Sequence, residues 1–175
     1  MHRVGWSVGD CEIGDSYNAG EAEIEGFEIF GQTVFESGGL TFPVTLSYTS
    51  TNAEFDNTFS SSFWGTVTSG DDIPDTIDSQ LALSVGFDNR AGWSGNATYY
   101  SFGDTCSVAS CPAGTKIDSH SELDLVVTRK FSESLDAYLT IMNVTDEEDI
   151  VARAPKNGAR AQMPRAALVG LRWKF

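Results

Sequence analysis

Hydrophobic and polar residues alternate with a period of two along most of this chain, the spacing that puts every second side chain on one face of a β-strand. In the closing stretch Ala167, Val169, Leu171, Trp173 and Phe175 share one face, while Gly170, Arg172 and Lys174 share the other. Leu40, Phe42, Val44, Leu46 and Tyr48 oppose Thr41, Thr45, Ser47 and Thr49; Leu81, Leu83, Val85 and Phe87 oppose Gln80, Ala82, Ser84, Gly86 and Asp88. Trp93–Tyr99, Leu123–Val127 and Leu135–Ile141 repeat the pattern. A segment near Ala22–Thr33 is less regular, because Phe27 and Ile29 alternate with Glu28 but Phe30 breaks the rule. The pattern predicts strands of about ten residues, enough to cross a bilayer at the tilt of a barrel. Their apolar side faces lipid and their polar or small side faces a lumen. Pro43 lacks a ladder donor and predicts a local distortion. Helical periodicity appears nowhere convincingly.

The connections alternate between short and long. Gly31–Gly39, Asp88–Gly92 and Ser132–Ser134 read as turns; Asn52–Asp75, Gly103–Ser119 and Asp146–Arg165 read as long polar loops. Outer-membrane barrels follow this rule, with turns in the periplasm and loops outside. It places Phe175 at the periplasmic rim and gathers Trp93, Phe131, Trp173 and Phe175 into an aromatic girdle. The expected fold is therefore all-β: an antiparallel up-and-down transmembrane β-barrel segment of about 7–8 strands. Bacterial single-chain barrels have even strand counts. Met1-His-Arg-Val-Gly-Trp6 reads as the outer end of an eighth strand, cut off at its start, and Met1-His-Arg-Val-Gly does not begin a secretory signal. Residues 1–175 are expected to be the C-terminal part of a larger barrel.

Composition agrees with an all-β chain rich in polar loops: 17 glycines, 5 prolines and no apolar run long enough for a membrane helix. Charge is unevenly spread. All 25 acidic residues lie at or before Asp149 with 5 Lys/Arg, whereas residues 150–175 hold the other 6 cations and no acid. A net charge of −14 disfavours nucleic acid as a partner, since neutralising phosphates needs a basic surface. Cys106 and Cys111 bracket Ser-Val-Ala-Ser in a polar loop, close enough for a disulfide in an oxidising compartment. Cys11 is left over.

Four segments, in order, resemble the carboxy-terminal part of a TonB-dependent outer-membrane receptor. Asn18-Ala-Gly-Glu-Ala-Glu-Ile-Glu-Gly-Phe-Glu28 resembles the family's Asn-x-Gly-x-Ala-x-x-x-Gly-x-Glu strand start, and Val44–Phe55 is similar to the strand after it. Leu139-Thr-Ile-Met-Asn-Val-Thr-Asp146 resembles the penultimate strand with its Asn-Leu-x-Asp ending, and Pro164–Phe175 resembles the closing strand. Cys11-Glu-Ile-Gly-Asp15 is similar to members that resemble ferric dicitrate transport proteins. The resemblance implies a roughly 22-stranded barrel in the outer membrane of a Gram-negative bacterium, filled by an N-terminal plug and importing iron chelates of the siderophore type. TonB, acting through the missing part of the parent chain, would supply the energy. Plug and N-terminal strands are not among these residues.

Enzymatic chemistry has little support. His2 and His120 are the only histidines, and neither Ser nor Cys sits in a nucleophile setting. His120-Ser-Glu122 reads more simply as a rim segment than as a proton relay. Asp71-Asp72 and Asp75/Asp78 read as a solvated loop more readily than as a cation site, and Cys/His metal-ligand spacing is absent. No cofactor is expected. The ligand-binding candidates are Arg153, Lys156 and Arg160 in the last long loop, because cations there suit an anionic ferric chelate and Arg forks onto carboxylates. The same cations suit lipopolysaccharide phosphates, or simply balance acidic neighbouring loops. Two rival architectures fit the alternation: a small eight-stranded barrel with a structural or adhesin role, and a soluble β-sandwich binding module. The sandwich requires Leu83, Val85, Leu139, Ile141, Leu171 and Trp173 to be buried in protein.

Overall fold

In the computed structural model the described residues are 21–61, 64–154 and 158–175. The proposed eighth strand at Met1–Trp6, Cys11 and Lys156 lie outside them. In chain order the elements are β1 (Ala22–Ser37), β2 (Leu40–Phe55), β3 (Phe59–Ser61), β4 (Gly65–Val67), β5 (Ser79–Asp88), β6 (Trp93–Phe102), β7 (Thr105–Cys106), β8 (Lys116–Ile117), β9 (His120–Lys130), β10 (Leu135–Met142), β11 (Ile150–Ala152), β12 (Arg160–Ala161) and β13 (Ala166–Trp173). Seven of these form one antiparallel sheet in the order β1-β2-β5-β6-β9-β10-β13, each strand beside its neighbour in the chain's up-and-down path. The other six pair as β3/β4, β7/β8 and β11/β12 hairpins within the long connections.

Register turns the alternation into two continuous surfaces. Thr33, Val44, Val85, Ala97, Leu125, Ile141 and Ala167 are successive cross-strand partners, so one outward row crosses all seven strands. One residue along, Gln32, Thr45, Ser84, Thr98 and Asp124 make an inward row of hydrogen-bonding groups. Thr98 Oγ1 donates to Ser84 Oγ at 3.1 Å and accepts from Asn96 Nδ2 at 3.0 Å. Among the described residues no second layer covers the apolar side: Val85 is 44% exposed, Leu171 74% and Trp173 74%. A sandwich would bury these side chains, so the single sheet excludes it. An apolar surface this broad is stable where lipid, not water, meets it.

Strand lengths differ from the expectation at the first hairpin. Gly31–Gly39 was expected as a turn, yet β1 continues through Gly31 to Ser37, and only Gly38-Gly39 turn the chain. Both have positive φ, 60° and 84°, the conformation a two-residue hairpin turn demands and glycine adopts without strain. Alternation fades in β1 because its inward side also carries Ile24, Phe30 and Val34, all well exposed. β2 likewise extends to Phe55, past the expected loop start at Asn52, so both strands run 16 residues. Pro43 acts as expected: pairing with β5 skips Phe42 and Pro43. Its ring instead lies on Gly86, where a Cβ would come within 2.8 Å. A similar fit joins the last two wall strands, with the Tyr138 ring occupying the space a side chain on its partner Gly170 would need.

Candidate ligand-capture surface

Three long connections leave the same end of the sheet, and each folds back as one of the small hairpins. Buried apolar residues among those described lie in these loops and at the loop end of β2. Phe55, Val67 and Ala109 form a core at 5%, 0% and 1% exposure, with Phe59, Trp64 and Ile73 packed against it. Phe55 meets Phe59 edge-on at 5.3 Å and Trp64 at 5.6 Å between ring centres. Ala109 comes from the second loop, so this core joins two loops.

The joint is reinforced by covalent and polar contacts. Cys106 and Cys111 form the expected disulfide, enclosing Val108 and Ala109 as they enter the core. The Asp75 amide donates to Cys106 O at 2.8 Å, tying the first loop to the second. Lys116 Nζ pairs with Asp104 at 2.9 Å across β7/β8 and stands 3.7 Å from Asp118. That hydrogen bond holds the Asp104 carboxyl below its ordinary range and raises the Lys116 ammonium above its own.

The third loop is organised by Asn143, which has no solvent exposure and a left-handed φ of 48°. Its Nδ2 donates to Glu147 O at 2.9 Å and Met163 O at 2.8 Å; its Oδ1 accepts from the Glu147 amide at 3.1 Å. Its own amide donates to Asp124 Oδ1 at 3.0 Å, anchoring the loop to β9. Arg165 closes the base, with its amide and Nη2 on the Asp146 carboxylate at 2.9 and 3.2 Å. Gln162 is buried and gives Nε2 to Ser121 O and Glu122 Oε2.

Of the candidate cations, Arg153 and Arg160 lie among the described residues. Arg153 Nε donates to Lys116 O at 2.8 Å, bridging the third loop to the second. It lines a cleft of about 240 Å³ with Lys116, Asp118, Glu148, Asp149 and Ile150. Arg160 is exposed on β12. Among the described residues, then, one candidate is a loop bridge and one faces solvent. His120 is a stacked rim residue: its ring lies 5.0 Å from that of Phe102 at an interplanar angle of 24°. Asp71 accepts from the Thr68 amide and Asp78 from Ser79 Oγ, so both shape the first loop. Asn143, Gln162 and the Phe55–Val67–Ala109 core were not anticipated from the sequence. A signal existed for Asn143 alone, an asparagine at a strand end where a left-handed residue is tolerated.

A single two-faced sheet, turns at one end and braced loops at the other, defines a sector of a transmembrane barrel wall. A family model described as TonB dependent receptor-like, beta-barrel, matches residues 4–144, and the chain belongs to that family. Comparison with curated proteins finds no match. Solved structures share the fold, two of them siderophore or ferric-chelate receptors by name. The siderophore receptor PiuA from Acinetobacter baumannii superposes with a TM-score of 0.73 at 15% identity, covering 90% of this chain and 22% of that one. The closed form of the ferric-catecholate import receptor Fiu from E. coli K12 gives 0.69 at 18% identity, covering 88% and 21%. This chain thus spans about a fifth of the length of each.

Proposed function

We propose that these residues are the C-terminal wall sector of an outer-membrane receptor that imports ferric siderophore-type chelates, work of transport and not of catalysis. Family membership combined with the lipid-facing and lumen-facing surfaces carries this reading. The named activities of PiuA and Fiu support the choice of cargo. In this reading the outward rows meet lipid and lipopolysaccharide, the inward rows meet a plug from another part of the parent chain, and TonB acts through that part. Capture falls to the loop surface, where Arg160 and Lys156 would meet an anionic chelate and Arg153 would hold the second and third loops together beside them.

The test is uptake of radioiron by iron-starved cells that lack their own receptors and express the receptor containing this chain. Iron is offered as ferric citrate, ferric catecholate or ferric hydroxamate. At least one should enter, only when TonB is present, and Arg160→Glu should raise its half-saturation concentration severalfold if the ligand is anionic. Failure of all three to enter would overturn the proposed cargo class.

A further inference from the structure

Between the row of Phe27 and Ser50 and the turns, the outward side of the described strands carries one charged residue, Arg129. It lies opposite Trp93 on β6 and Ala137 on β10, at the turn end of the wall. Its guanidinium carbon stands 5.1 Å from the centre of the Trp93 ring and 5.9 Å from that of Phe131. Nη1 donates to Ala91 O at 2.8 Å. Gly92, at a φ of 94°, makes the room: a Cβ there would come within 3.3 Å of Arg129 Nη1 and 2.6 Å of Lys130 O.

This is not the posture of a long cation merely reaching for water. A snorkelling arginine keeps its head free, whereas here two rings flank the guanidinium and a carbonyl accepts from it. The group has five N–H donors, and the carbonyl accepts one. No carboxylate pairs with it among the described residues. Unspent planar donors, partly desolvated by aromatic rings at the boundary between acyl chains and headgroups, match a phosphodiester, which accepts two parallel N–H bonds. We propose that Arg129, Trp93 and Phe131 form a binding site for the headgroup phosphate of a glycerophospholipid in the turn-side leaflet. The proposal rests on the membrane-wall reading and not on the cargo.

The receptor containing this chain is folded into detergent micelles and titrated with short-chain phosphatidylglycerol, counting bound lipids by native mass spectrometry. Arg129→Gln should weaken one binding event by at least about fivefold, the scale of one cation beside an anionic headgroup. Arg129→Lys should retain part of it, and Lys130→Gln, on the lumen side, should leave it unchanged. Diacylglycerol, which has no phosphate, should not distinguish wild type from Arg129→Gln. Should Arg129→Gln fail to assemble, Trp93→Leu removes one ring of the bracket and must weaken the same event. Equal lipid binding by wild type and variant overturns the site, as does inorganic phosphate competing as well as the lipid does. Failure of the wild type to give a heat-modifiable barrel, visible before any titration, would count against the wall reading instead.

Discussion

Replacing Asn143 by alanine should release the third outer loop while sparing the wall. The side chain satisfies two carbonyls, Glu147 O and Met163 O, and the Glu147 amide, all within 3.1 Å. Each buried group left without a partner costs about 1–3 kcal/mol. Water at the loop base can recover part of this, which leaves about 3–5 kcal/mol. Asn143→Gly should be milder by roughly 1 kcal/mol, because glycine accepts the left-handed backbone that alanine resists. Asn143→Asp should be at least as damaging as alanine, since it turns carboxylate oxygen toward two carbonyls. Hydrogen exchange of the Gln162 amide is the assay, because that group bonds to Asp149 O at 2.8 Å and is not among the hydrogen-bond partners of Asn143. At a factor of ten per 1.4 kcal/mol, its protection should fall by roughly two to three and a half orders of magnitude. Protection of Gln162 within threefold of wild type in Asn143→Ala would refute the idea that one buried amide holds the loop.

Three further outcomes follow from the same geometry. Leu139→Arg, on the lipid side, should destabilise the assembled barrel by about 2–4 kcal/mol, whereas Thr140→Arg, facing the lumen, should cost far less; equal costs in urea unfolding would contradict the assignment of faces. Reducing Cys106–Cys111 should loosen the first loop as well as the second, read as a red shift of Trp64 emission in a protein whose other tryptophans are Phe; an unmoved spectrum would separate the two loops. Asp104, lowered by its bond from Lys116, anchors β7/β8 fully above its ordinary pKa of 3.8, and that anchoring is lost as pH falls through the lowered folded value. Lys116, raised by Asp104, anchors it fully below 10.5, and that anchoring is lost as pH rises through the raised value; proteolysis of residues 104–117 that stays constant at both extremes would contradict the pairing.

The wall was legible because lipid and lumen impose opposite demands on successive residues, and Leu81–Phe87 or Leu135–Ile141 record those demands without help from distant segments. β1 was the exception: Ile24, Phe30 and Val34 on its inward side erased the contrast, so its last turn-side residues passed for a loop. The cysteine pair was legible from spacing alone. The outer surface was not. Arg165 with Asp146, Arg153 with Lys116 and Ala109 with Val67 are partners set by how the chain returns on itself. A tally of cations in the last loop singles out Arg153, Lys156 and Arg160 but cannot show that Arg153 also reaches Lys116 O or that Arg165 pairs with Asp146.

β2 rises past its contact with β5. Ser50 faces Ser79 at the top of that pairing, and Thr51–Phe55 continue upward beside β1. Five residues at strand pitch add about 16 Å before tilt. The paired strand ends are therefore stepped, highest at β1 and β2, and the braced hairpins of the second and third loops stand on the lower steps beside β9 and β10.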